Sequence, residues 1–140
     1  MDERPPLDTD EYRRWREEAS QALRGARLQH DADLYNWGCF LAEQSAQLAL
    51  KGLLHGLGRG PWGHDLVRLG ELAGEVLEVP EEIATALRRL SRHYIPARYP
   101  DAHPSGPPGP HYGPTDSAEA IGDAAAILEF VDRIWTELNV

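Results

Sequence analysis

Apolar residues recur at intervals of three and four along most of this chain, and that spacing predicts helices instead of strands. The first predicted helix runs from about Thr9 to Gln29, with Thr9 and Asp10 as cap residues at its amino end. Arginines and glutamates fill the opposite face, so one side is expected to be buried and the other solvated. The expected core stripe of this helix is Tyr12, Trp15, Ala19, Ala22 and Ala26.

The second predicted helix begins at Asp31 or Asp33 and ends near Leu57, where the glycines and proline of segment 58–61 stop it. Its expected core stripe is Leu34, Trp37, Leu41, Ser45, Leu48 and Gly52. Small residues recur along the same helix and predict the close approach of a neighbouring helix; they are Ala42, Ser45, Ala49 and Gly52.

Three further helices are predicted in the second half of the chain. The third covers about residues 66–77, with Asp65 as its N-cap, and the fourth follows Pro80 and is ended or kinked by Pro96. The fifth begins at a cap formed by residues 115–117 and ends near Leu138. The expected core stripes are Ile83, Leu87, Leu90 and Tyr94 in the fourth helix and Ile121, Ala124, Leu128, Val131, Trp135 and Leu138 in the fifth.

A proline-rich segment separates the fourth helix from the fifth. Residues 100–114 contain six prolines and three glycines, so neither a helix nor a central strand can cross them. The prediction is therefore an all-α fold: an up-and-down four-helix bundle with one extra short helix and a Pro/Gly-rich loop, residues 99–115, before the last helix. The expected organisation is an N-terminal tail, residues 1–8, followed by the bundle over residues 9–140.

Composition and charge narrow the possible functions. The chain has 140 residues, enough for one domain, and its net charge of −9 argues against a broad surface for duplex DNA. No apolar run is long enough for a membrane span, and the first six residues are too polar for a signal peptide. The single cysteine, Cys39, excludes an internal disulfide. A cytoplasmic protein is expected.

The strongest candidate for a binding site lies where the fourth helix ends. Arginine is a bidentate partner for phosphate or carboxylate, and tyrosine adds a hydroxyl group and a stacking face. An alternative stays open, in which Arg92 and His93 favour the helix dipole and Arg98 pairs with Asp101. Arg88 and Arg92 share one face of the helix, whereas Arg89 is expected to be solvated. The candidate residues are Arg92, Tyr94, Arg98, Tyr99 and Asp101.

A second candidate site lies on the second helix. Gln44, Gln47 and Lys51 share one face of an otherwise almost apolar segment, and such a polar strip suits a phosphate or a partner helix. The alternative is that Lys51, the only lysine, extends along the edge of the core into solvent. No cofactor is expected. Metal binding by Asp101, His103 and His111 is disfavoured because a proline-rich loop would hold these ligands poorly.

Three blocks of sequence, taken in order, resemble the HEPN domains of bacteria and archaea. Residues 40–54 resemble the motif of the family's second helix, with Gln44 and Lys51 retained but Gln47-Leu48 where many members carry Glu-Lys. His64-Asp65-Leu66 resembles the family's H-D-L, and residues 94–101 resemble its Y-I-x-x-R-Y-P-D. The resemblance covers about residues 12–138 and implies a helical bundle that is often encoded beside a minimal nucleotidyltransferase.

The resemblance implies three alternative functions. The first is a bundle that binds a nucleotide or RNA phosphate and pairs with a nucleotidyltransferase in a toxin–antitoxin or defence module, with Tyr99 or Tyr112 as an acceptor if the partner modifies the chain. The second is a metal-independent ribonuclease whose R-x4-H motif is Arg98 and His103, although Tyr99 and the prolines depart from the usual pattern. The third is a purely structural interaction protein.

A homodimer is also expected. Trp37, Leu41, Trp135 and the small residues of the second helix offer more apolar surface than a four-helix core should consume. A nucleotidyltransferase is the other expected protein partner.

Overall fold

A computed structural model describes residues 6–60 and 63–139, and within them it confirms an all-α fold. No strand occurs in that part of the chain, and none of its helices is long and apolar enough to cross a membrane. Residues 1–5 of the predicted tail and Pro61 of the predicted stop signal lie outside the described residues. The helices are α1 (Thr9–Asp31), α2 (Tyr35–Gly56), α3 (Leu66–Gly74), α4 (Glu81–Ser91) and α5 (Pro114–Leu138).

The amino ends of the helices show where the predicted caps were right and where they were wrong. Asp65 caps α3 as predicted, because its carboxylate accepts from the backbone N–H groups of Val67 and Arg68. The cap of α1 is Asp8, not Thr9 or Asp10, since the Asp8 carboxylate accepts from the Glu11 N–H at 3.1 Å. One residue further out, Asp8 has the geometry that a side-chain cap requires.

The second helix begins later than predicted. Asp33 adopts a left-handed conformation with φ of 63°, which ends the α1–α2 turn and delays α2 to Tyr35. The Asp33 carboxylate accepts a hydrogen bond from the Tyr35 hydroxyl at 2.8 Å instead of capping the helix. Asp33, which the sequence offers as a possible helix cap, is therefore part of the α1–α2 turn.

Helix α2 is the central helix, and its predicted stripe is only half right. Leu34 and Trp37 are 47% and 43% exposed, and Leu41 and Leu48 are partly buried. The residues that are buried instead lie around most of the helix because α1, α3, α4 and α5 all pack on it. They include Cys39, Ala42, Ala46, Ala49, Leu50, Leu53 and Leu54.

The small residues of α2 allow the close packing of α1, as predicted. The Ser45 hydroxyl donates to the Ala19 carbonyl at 2.7 Å, which brings one helix against the backbone of the other. A Cβ atom on Gly52 would lie 2.8 Å from the Trp15 Cβ and 3.3 Å from the Tyr12 carbonyl oxygen. These residues, on which the expected dimer partly depends, are therefore consumed within the chain.

Helix α5 completes the bundle. Its contacts show that the predictions of Trp135 as free dimer surface and of Arg89 as a solvated residue were wrong. Trp135 stacks on Tyr12 with ring centroids 4.0 Å apart, so it is packed within the chain and does not supply a free dimer surface. Arg89 is not solvated: its guanidinium binds both carboxylate oxygens of Asp123, at 2.6 and 3.0 Å. This bidentate pair joins α4 to α5.

The segment between α4 and α5 is irregular, as predicted, but it is held by specific contacts. Two 3-10 turns, Pro100–Ala102 and Gly109–His111, interrupt it. Asn36 on α2 donates its amide to the Ala97 carbonyl at 3.0 Å. Tyr94, predicted as part of the α4 stripe, lies beyond the end of the helix at Ser91. The contacts place residues 94–99 against the amino half of α2.

Replacing Gly52 with alanine tests the close packing of α1 on α2. We expect Gly52→Ala to lower the free energy of unfolding by about 1–3 kcal/mol, because the new methyl group meets a Cβ and backbone atoms that cannot move independently. Gly122→Ala on α5 is the matched control, since its Cβ would meet nothing within 4 Å. It should raise stability by about 0.5–1 kcal/mol through helix propensity. Chemical denaturation that finds both variants equally stable would contradict this packing.

Candidate functional site

A polar groove runs along α2 where residues 94–99 and the turn before α3 pack beside it. We refer to it as the α2 groove. Its residues on α2 span about 16 Å of helix at 1.5 Å per residue. It brings together six residues of the two predicted sites and three that were not assigned to either. The predicted residues are Gln44, Gln47, Lys51, Tyr94, Arg98 and Tyr99, and the others are Phe40, Glu43 and His64.

Glu43 is a carboxylate at the buried base of the α2 groove. Its side chain has no exposed surface, and both its oxygens accept hydrogen bonds, from the Gln44 amide at 2.9 Å and the Gln47 amide at 2.6 Å. Loss of hydration raises the pKa of Glu43 to about 7, although the two amides and the charges of Arg98 and Lys51 oppose the rise. The carboxyl group therefore changes charge near neutral pH.

His64 connects this carboxylate to Lys51. Its Nδ1 atom lies 3.3 Å from the side-chain amide oxygen Oε1 of Gln47 and 3.4 Å from Lys51 Nζ. Its ring stacks on Tyr94 with centroids 5.5 Å apart. The partial burial of Lys51 lowers its pKa from the usual value, and the nearby Glu43 charge opposes that change. Lys51 Nζ thus lies within reach of this polar network, and His64 contacts α2 as well as preceding α3.

Arg98 lies in an aromatic cage formed by Phe40, Tyr94 and Tyr99. The guanidinium carbon is 4.4, 4.5 and 4.9 Å from the centroids of these three rings in that order. Its Nε atom donates to the Tyr94 carbonyl at 2.8 Å. Cation–π contacts and this bond fix the plane of the guanidinium without neutralising its charge.

Arg98 differs from six other arginines in that no carboxylate pairs with it among the described residues. Within residues 6–60 and 63–139, six arginines form ion pairs with carboxylates: Arg14, Arg16, Arg59, Arg68, Arg88 and Arg89. Arg98 forms none there, so the expected alternative of an Arg98–Asp101 pair is wrong. The terminal Nη atoms of Arg98 have no acceptor among the described residues.

Three predicted residues lie apart from the network. Arg92 and Asp101 are exposed, and among the described residues neither side chain forms a hydrogen bond or ion pair with a residue of the α2 groove. His103 is also separate from Arg98: its Nε2 donates to the Pro96 carbonyl at 2.6 Å, and its ring stacks on His111 at 4.2 Å. Among the described residues, no three histidine, cysteine or carboxylate side chains are grouped to hold a metal ion.

Sequence reasoning missed Glu43 as a functional residue. The expected stripe of α2 placed Leu41 and Leu48 inside and did not include Glu43, whereas α2 is buried around most of its circumference. The signal that was present is the spacing of Glu43 and Gln47, which are four residues apart within an apolar helix. Phe40 was recognised only as part of a motif because its contact with Arg98 joins distant segments.

Comparisons with known proteins agree on the fold and the family. The family model described as the HEPN domain matches residues 12–134. A crystal structure of a protein from Thermus thermophilus is 43% identical, with a TM-score of 0.83, over 87% of this chain and 96% of that one. An archaeal HEPN homologue is 32% identical, with a TM-score of 0.74, over 86% and 94% of the two chains.

A more distant solved structure supports the fold alone. A HEPN domain protein of Thermotoga maritima is 23% identical, with a TM-score of 0.72, over 88% of this chain and 98% of that one. The comparison with curated proteins finds no match.

Replacing Glu43 with glutamine tests the burial of its charge. The pKa of Glu43, about 7 in the folded state, exceeds the ordinary value of 4.5. The stability that Glu43 contributes is therefore complete below about pH 4.5 and is lost as the pH rises through 7. We expect Glu43→Gln to raise the free energy of unfolding by about 1–3 kcal/mol at pH 8 and to change it little at pH 4.5.

Glu78→Gln is the matched control for this measurement, because Glu78 is exposed. Its effect on stability should not change between the two pH values. Denaturation curves in which Glu43→Gln has the same effect at pH 4.5 and pH 8 would contradict the buried charge.

Proposed function

This chain belongs to the HEPN domain family, and on that premise we propose that it binds the phosphate of a nucleotide or of RNA in the α2 groove. We further propose that it pairs with a nucleotidyltransferase in a toxin–antitoxin or defence module. The groove supports the first part of this proposal, and the family supports the second.

The observation that carries the phosphate proposal is the state of Arg98. The three rings and the Tyr94 carbonyl fix its guanidinium, yet its two Nη groups have no acceptor among the described residues. A fixed guanidinium with two open N–H edges is the geometry that binds a phosphate through two parallel hydrogen bonds. Among the described residues, six arginines pair with carboxylates, whereas Arg98 is held by aromatic rings and a backbone carbonyl.

The rest of the groove supplies contacts that suit a nucleotide. Lys51 adds a second positive charge further along α2, and His64 lies between it and Tyr94. Tyr99 is 46% exposed beside Arg98, and we propose that its ring stacks on a base. Phosphate binding by Arg98 and Lys51 with stacking on Tyr99 therefore uses one continuous surface.

Replacing Arg98 tests the phosphate site. We expect Arg98→Ala to weaken the binding of ATP or of a short single-stranded RNA about tenfold to a hundredfold, because a charge-assisted bond is lost. Arg98→Lys should recover only part of this loss, since lysine lacks the bidentate fork. Isothermal titration of parent and variants measures the affinities, and thermal melts check that each variant is folded.

Two control variants separate this function from its alternatives. Arg24→Ala removes an exposed arginine of α1 and should leave the affinity unchanged; Arg89 is unsuitable because it pairs with Asp123. His103→Ala should also leave binding unchanged, whereas in a ribonuclease both Arg98→Ala and His103→Ala would abolish RNA cleavage. A parent protein that binds neither ATP nor RNA would contradict the phosphate site and favour a purely structural interaction protein.

Self-association has a smaller surface available than the sequence indicated. Leu34, Trp37, Ile95 and Tyr99 are exposed on or near the segments that form the α2 groove. Because exposed apolar side chains of this size favour a protein interface, we expect a homodimer at micromolar concentration. Light scattering should give twice the chain mass, and Trp37→Ser should lower the measured mass; a monomer would contradict the dimer.

The proposed pairing with a nucleotidyltransferase is tested in the same way. Adding the nucleotidyltransferase encoded nearest to this gene should give a larger complex.

A further inference from the structure

One nitrogen atom in the α2 groove has two incompatible partners. His64 Nδ1 lies 3.3 Å from the side-chain amide oxygen Oε1 of Gln47, which only accepts, and 3.4 Å from Lys51 Nζ, which as an ammonium only donates. A protonated Nδ1 binds Gln47 and leaves Lys51 without an acceptor there. An unprotonated Nδ1 accepts from Lys51 and leaves Gln47 without a donor. The two hydrogen bonds therefore exclude each other.

We infer that His64 is a positioning residue, whose Nδ1 proton decides whether Lys51 is bound within the protein or is available to an anionic ligand. This inference rests on the proposed phosphate site, because it assigns a use to the Lys51 charge. It makes His64 act through Lys51, without requiring its own contact with phosphate.

Glu43 determines which of the two states is adopted. A carboxylate has no proton to donate, so Gln44 and Gln47 must both present their amide N–H groups to it, and this they do at 2.9 and 2.6 Å. The orientation of the Gln47 amide is thereby fixed, with its carbonyl oxygen towards His64. That oxygen stabilises the Nδ1–H form of the ring. The Glu43 charge is thus relayed through Gln47 to His64, and Lys51 is released.

Apart from Gln47 and Lys51, the described groups around His64 do not determine which ring nitrogen carries the proton. We call the series Glu43, Gln47 and His64 the relay. From the segment after α4, Tyr94 stacks on the ring and offers no hydrogen bond to it, and the Arg98 guanidinium contacts the Tyr94 ring. The adjacent Asp65 carboxylate is used by the backbone N–H groups at the start of α3. Among the described residues, Gln47 and Lys51 are therefore the only hydrogen-bonding partners of the His64 ring.

The relay also explains why a buried carboxylate lies beside a phosphate site. As a simple negative charge, Glu43 would repel an anionic ligand, and its removal would tighten binding. As the fixed end of the relay, it keeps Lys51 from being consumed by an internal bond. The two roles predict opposite effects of the isosteric substitution Glu43→Gln, which allows the Gln47 amide to rotate.

The tautomer of His64 is measured directly by NMR of the full chain labelled with ¹⁵N-histidine, at pH 8, where a histidine ring ordinarily carries one proton. We expect the parent His64 to carry it on Nδ1 and the Glu43→Gln variant to shift towards Nε2–H. An unchanged tautomer, or Nε2–H in the parent, would overturn the relay. This readout needs no ligand, so it decides the relay even if ATP fails to bind and the phosphate site is thereby contradicted.

Titration with ATP tests the consequence for Lys51. Glu43→Gln should weaken ATP binding by up to about tenfold, the scale of one lost charge-assisted bond. In a His64→Phe background, which keeps a ring to stack on Tyr94 but has no ring nitrogen, Glu43→Gln should not weaken binding. Tighter binding upon Glu43→Gln in both backgrounds would show that Glu43 acts only as a charge and would overturn the inference.

Discussion

The structure depends on the burial of α2 by the other four helices. Most of its residues face a neighbouring helix, and small side chains such as Ser45 and Gly52 bring α1 against its backbone. A helix in this position has little surface left for polar groups. Several of its polar side chains are gathered where residues 94–99 and the turn before α3 pack beside it, and this region is the α2 groove. The packing of the bundle thus determines where a ligand site is able to form.

Within the α2 groove, the buried carboxylate of Glu43 opposes folding when it is ionised. At pH 8 the ionised Glu43 has exchanged water for two amide donors, and its raised pKa shows that the exchange is unfavourable. A hydrophobic residue of similar size at this buried position would avoid that cost. Charged groups that reduce stability while ordering a polar network are typical of functional sites. In such a site the charge orders the polar network and does not stabilise the core.

The sequence allowed the fold to be predicted more fully than the site. Periodicity and caps gave five helices because both are local properties, and the Asp65 cap is an example. The start of α2 was misplaced because nothing in the local sequence shows that Asp33 takes a left-handed conformation. The burial of Glu43 and the cage around Arg98 depend on contacts between distant segments, such as Phe40 with Arg98, which periodicity does not contain. Family motifs identified Lys51, Arg98 and their neighbours without indicating how they meet.

The net negative charge of the molecule restricts where it is able to hold an anion. A strongly acidic chain repels anions at long range, so an anion is held only where positive charge is concentrated, oriented and not already neutralised. Arg89 meets the first two conditions but is neutralised by Asp123. Arg98 meets all three, because aromatic rings hold it in place of a carboxylate. Rings stabilise a cation through their quadrupoles without forming an ion pair with it, and for this reason the proposed phosphate site is centred on Arg98 and not on Arg89.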